Sequence, residues 1–165
     1  MNCSSGVGGV NACIEGGGAP LQAPLAVVNA TGAGEGEAVY LVVLGVPSCP
    51  HCRAMERFLP SLGLDVFFCP LSRPRCAKAF AELVERGVPS YVPVIVACTG
   101  GRPVFVEVGE LRDRGWWLSR LSSSRPGGRL PVYMGSRERV ALNVSPDLSR
   151  LLCNASLGDA VRVGG

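Results

Sequence analysis

The sequence predicts an α/β domain with a mixed central sheet of about four strands and helices on both faces. Three observations carry that expectation. Residues 39–44 are a continuous aliphatic and β-branched run, a Cys49-Pro50-His51-Cys52 motif opens a helical period directly after it, and two later β-branched runs are separated by a glycine turn. A run apolar at every position, bounded here by Gly45 and Pro47, is the pattern of a strand covered on both faces.

The elements follow in order. Cys49 occupies an N-cap position with Pro50 at the first helical place, and Cys52, Met55, Phe58 and Leu59 recur at helical spacing until Pro60. Residues 65–68 read as a second strand. After Pro74 the residues Cys76, Ala79, Phe80, Leu83 and Val84 form one apolar helical face closed by Gly87. Residues 94–97 and 104–108 are two further strands joined by Thr99-Gly100-Gly101-Arg102, a connection short enough for an antiparallel hairpin. Residues 110–121 then read as a helix anchored by Trp116 and Trp117. Residues 122–129, rich in Ser, Gly and Arg, mark a break. Beyond them 130–134 and 139–144 read as a small hairpin, followed by a short helix capped by Ser145 with Pro146 at its first position.

The chain of 165 residues is 47% hydrophobic, enough for one core. Residues 1–37 are Gly- and Ala-rich without a sustained period and are expected to be a poorly ordered extension, with a short strand at 24–28. The expected organisation is therefore an extension over 1–37, a folded domain over 38–122, and a linker with a small C-terminal extension over 123–165.

Net charge is +3, but the chain carries no Lys or Arg before Arg53. The basic residues are spread rather than clustered, so no nucleic-acid footprint is visible. The start of the chain lacks a positive region followed by an apolar core, and no apolar run is long enough for a bilayer. A cytoplasmic protein with neither nucleic acid nor membrane as partner is the expectation. Eight cysteines in such a setting point to redox or metal chemistry rather than to a secreted disulfide scaffold.

Thiol-disulfide exchange needs an exposed thiolate and a second thiol near enough to displace the mixed disulfide. Two cysteines with two residues between them at a helix start supply both. Cys49 is expected to attack and Cys52 to resolve. The free amides and positive dipole end of the helix favour negative charge on Cys49, and His51 adds a donor or partial positive charge.

The stretch Val39 to Cys52, followed by Val92-Pro93 and the Gly100-Gly101 turn, resembles the thioredoxin-like superfamily over roughly residues 38–122. That resemblance implies a thioredoxin-like fold and a cis proline opposite the cysteines, which falls at Pro93 with Pro89 as the rival. Pro93 is preferred because it immediately precedes the strand, whereas Pro89 would leave Pro93 inside one. Ser48 stands before Cys49 and Val43 replaces the buried Asp of thioredoxins. The Cys-Pro-His-Cys tetrapeptide looks like that of bacterial disulfide-forming oxidoreductases, yet Cys52 to Pro93 has no room for their helical insertion. Size and the approach Gly45-Val46-Pro47-Ser48 look more like glutaredoxins or single-domain prokaryotic redox proteins.

The implied function is a protein thiol-disulfide oxidoreductase with Cys49 and Cys52 as catalytic residues, supported by Pro50, His51, Val92 and Pro93. It needs no bound cofactor and no metal. It acts as a monomer on protein thiols and disulfides, with a reductase or oxidase to recycle it. The alternatives are a zinc module using Cys49, Cys52, Cys69 and Cys76, whose second pair is too widely spaced for a knuckle, and a redox-inactive interaction module. Cys69 and Cys76 are open between a structural disulfide and two buried thiols, Cys98 is expected to serve packing, and Cys3, Cys13 and Cys153 receive no role. His51 is the only histidine, which excludes paired-His metal motifs.

Overall fold

The computed structural model of the chain describes residues 38–164. The expectations for 1–37, with Cys3 and Cys13, lie outside the described residues.

Strand β1 (Val39–Gly45) leads into helix α1 (Pro50–Phe58) and a 3-10 turn (Leu59–Leu62). Strand β2 (Asp65–Pro70) and helix α2 (Pro74–Glu85) follow, then β3 (Val94–Thr99), β4 (Arg102–Val108) and α3 (Arg114–Ser123). The hairpin β5 (Arg129–Met134) and β6 (Arg137–Asn143), helix α4 (Pro146–Cys153), a 3-10 turn (Ala155–Asp159) and β7 (Val161–Val163) complete the order.

The seven strands among the described residues join one mixed sheet in the order β6-β5-β4-β3-β1-β2-β7. β1 pairs parallel with β2 and antiparallel with β3, while β4 pairs antiparallel with β3 and parallel with β5. The α/β sheet of about four strands in a thioredoxin-like fold is thereby corrected. The sheet has seven strands and does not fit that fold. The cause lies after residue 128. An edge strand presents unpaired amides and carbonyls, and here β5 covers the free edge of β4 while β7 covers that of β2. The segment expected as a small extension contributes three of the strands.

The two faces of the sheet carry separate cores. On β1, Leu41 and Val43 pack with Cys52 and Met55 of α1 and Trp117 of α3. Val42 and Leu44 pack on the other face with Ala79 and Leu83 of α2 and Leu148 and Leu152 of α4. Burial on both sides is why β1 is apolar at every position.

Two disulfides tie the second face. Cys69–Cys76 joins the end of β2 to the first turn of α2, and Cys98–Cys153 fastens α4 to β3. The second corrects the packing role expected for Cys98 and the absence of a role for Cys153. Loop-closure entropy scales with the residues enclosed. Separations of 7 and 55 residues correspond to about 2 and about 4 kcal/mol of destabilisation of the unfolded chain.

Helix α3 starts at Arg114 rather than Glu110. Asp113 adopts an extended N-cap conformation and its carboxylate accepts the Trp116 amide, which sets the boundary. Glu110 is left in the preceding loop. The hairpin turn between β5 and β6 uses positive φ at both Gly135 and Ser136, the twist-matched two-residue type. Ser145 caps α4 by accepting the Leu148 amide. Among the described residues, no helix is long and apolar enough to cross a membrane.

Candidate functional site

The site is built where β1 ends. The chain leaves the sheet at Gly45 and turns through 46–49, with the Cys49 amide donating to the Val46 carbonyl at 3.0 Å, and α1 begins at Pro50. Proline suits that place because its missing N–H would have had no helical partner. Cys49 is the N-cap residue and is partly exposed. Cys52, one turn deeper, is 0% exposed within the core beneath α1.

Gly45 makes room for that sulfur. A Cβ at position 45 would stand 2.6 Å from Cys52 Sγ, well inside contact distance. The buried thiol therefore requires a residue without a side chain at the end of β1, the close backbone approach that glycine alone permits.

The two thiols are electrostatically unlike. Burial pushes Cys49 upward, but the backbone amide of Cys52, the Cys52 thiol and the backbone amide of His51 together outweigh it, so its acidity lies on the thiolate-favouring side of an ordinary cysteine. Glu110 opposes this with its negative charge. Cys52 is pushed up to about 12, chiefly by burial, with the Cys49 sulfur and Glu56 adding to the shift and the Val46 backbone acting against it. One sulfur is ready to ionise at the surface; the other stays protonated below it. Neither is bridged.

His51 behaves differently from the sequence expectation. Its backbone amide favours the Cys49 thiolate, while its ring Nδ1 bonds to Glu110 Oε1 at 2.7 Å. Arg112 Nε holds the other carboxylate oxygen at 2.9 Å. Sequence reasoning misses Glu110 as a site residue, because the helical spacing of Leu111, Trp117, Leu118 and Leu121 reads it into the start of α3.

Val92 packs against the same core as Cys49 and Cys52. The Val92–Pro93 peptide is cis, and Pro93 is buried. The Pro93 carbonyl accepts the Gly109 amide at 2.8 Å, which joins the start of β3 to the residue before Glu110.

No family model, curated protein or solved structure matches the chain. What the site can do rests on its own chemistry. Cys69 and Cys76 are bonded to each other, so the four-thiol set of the zinc alternative is not assembled. Among the described residues no group of three or more His, Cys, Asp or Glu is placed to hold a metal ion.

Proposed function

We propose that the chain is a thiol-disulfide oxidoreductase acting on protein partners through Cys49 and Cys52. The observation that carries this reading is the asymmetric pair at the mouth of α1. A partly exposed sulfur is biased toward thiolate, and a buried, protonated sulfur lies one turn behind it.

In the reducing direction, the Cys49 thiolate attacks one sulfur of the partner disulfide. The other partner sulfur leaves as thiolate and takes a proton. Cys52 then loses its proton and attacks the Cys49 sulfur, which releases the partner's second sulfur. The partner gains two electrons and two protons, and Cys49 and Cys52 become a disulfide; the oxidising direction is the reverse. The electrons reside in the thiols, so the reaction calls for no bound redox cofactor. A recycling reductase or oxidase returns the pair to its starting state.

The two buried disulfides bear on the compartment. Such bonds favour an oxidising surrounding, or the cytoplasm of a hyperthermophile, over an ordinary reducing cytoplasm.

The test is a pair of variants assayed by insulin reduction and by oxidative refolding of a reduced protein. Cys49→Ser is expected to abolish exchange, and Cys52→Ser to accumulate a mixed disulfide through Cys49. Exchange by both variants at the wild-type rate overturns the assignment, and a wild-type chain silent in both assays favours an interaction module instead.

A further inference from the structure

Glu110 stands out among the groups around the site. It is a carboxylate only 23% exposed, reached by charged or polar side chains from two directions: His51 from α1, and Arg112 from its own loop. Its backbone neighbour Gly109, in the left-handed region at φ +96°, is bonded to the Pro93 carbonyl, so the loop is tied to the sheet on one side and to α1 on the other. An ion pair between exposed side chains ordinarily contributes little. A carboxylate held on His51, two positions along the chain from Cys49, brings its charge to the mouth of α1 whatever the pair contributes to stability.

We propose that Glu110 is a positioning residue of the Cys49/Cys52 pair: clamped by His51 and Arg112, it keeps a negative charge beside Cys49 and restrains the oxidising power of the couple. This rests on the exchange reading given above. It also reassigns His51, whose ring serves to hold Glu110 while its backbone amide serves the sulfur.

The groups that face Glu110 are His51 and Arg57 of α1 and Arg112 of its own loop, and all three favour its ionised form, the His51 hydrogen bond most strongly. The Glu110 carboxyl is therefore held below the usual carboxylate range. Its charge disfavours the Cys49 thiolate. The reduced form of a dithiol is stabilised by thiolate character, and a more stable reduced form makes a stronger oxidant. Removing the charge is thus expected to strengthen the couple as an oxidant.

The experiment titrates the ultraviolet thiolate absorbance of the reduced full chain and measures the equilibrium constant of the couple against glutathione. Glu110→Gln is expected to lower the pH at which Cys49 ionises. The ratio of ionised to neutral Cys49 at a fixed pH should rise about two- to fivefold, the size of a surface charge interaction, and the equilibrium should move toward the reduced protein. Arg112→Ala, at a side chain 62% exposed, is expected to shift the titration the opposite way, by less when combined with Glu110→Gln. Glu56→Gln is the control, since Glu56 acts on Cys52 rather than Cys49. It should leave the Cys49 titration in place. An unchanged or raised midpoint in Glu110→Gln, an equal shift in Glu56→Gln, or an Arg112→Ala effect independent of Glu110 overturns the inference. The titration reads ionisation rather than turnover, so a chain inactive in exchange whose midpoint still shifts refutes the functional reading and leaves the role of Glu110 standing.

Discussion

At the scale of single residues, the site depends on close approach. Cys52 is protonated because it is buried, and it is buried because Gly45 lets α1 sit against the end of β1. Gly45→Ala would drive a methyl group to 2.6 Å from the sulfur, with the Phe68 ring also within 3.4 Å. Overpacking of this kind costs about 1–3 kcal/mol. The expected outcome is a loss of that size in urea unfolding, together with a longer-lived mixed disulfide as Cys52 is displaced from Cys49. Wild-type stability and wild-type resolution in this variant would show that the packing at position 45 is irrelevant to the pair.

At the scale of elements, boundaries decide which side chains face the site. Helix α3 begins at Arg114 because the Asp113 carboxylate caps it, and the loop before it is thereby free to carry Glu110 to His51. Asp113→Ala is expected to lower stability by about 1 kcal/mol, the usual loss for an N-cap, read as a fall in Tm. Trp117 limits the damage. It is 0% exposed and its Nε1 donates to the Leu111 carbonyl at 2.8 Å, so the helix stays anchored when its first turn frays.

At the scale of the whole molecule, one buried group links stability to pH. Glu107 of β4 is 0% exposed; its Oε2 accepts the Gly135 amide at 3.0 Å, and its Oε1 has no partner among the described residues. Burial pushes its carboxyl up to about 7, with the Gly135 and Ser136 amides pulling the other way. Below the ordinary carboxylate range the group is protonated in both folded and unfolded chains, so nothing is lost. As pH rises toward 7, only the unfolded chain ionises and stability falls. Above about 7 the loss is complete, at most about 3 kcal/mol. Glu107→Gln is expected to flatten urea-unfolding stability between the ordinary carboxylate range and neutral pH; an equally steep fall in the variant would assign the pH dependence to another group.

The apolar run of β1, the Cys49–Cys52 pair around the Pro50 helix start, the glycine turn at 100–101 and the Ser145 cap are local patterns, and each stands where periodicity and capping chemistry put it. Backbone dihedrals, helix caps and side-chain alternation are decided within a few residues, so a single sequence carries them, though the periodic run at 110–121 masks the Asp113 cap that starts α3 at Arg114. Strand count, edge pairing and the Cys98–Cys153 bond depend on residues brought together over long separations. A three-residue strand such as β7 has no local signature, and only the exposed edge of β2 gives it a partner. The meeting of Glu110 with His51, 59 positions apart, belongs to the same class. Local interactions set the chemistry at the mouth of α1, and long-range pairing set the seven-stranded sheet and the contact of Glu110 with His51.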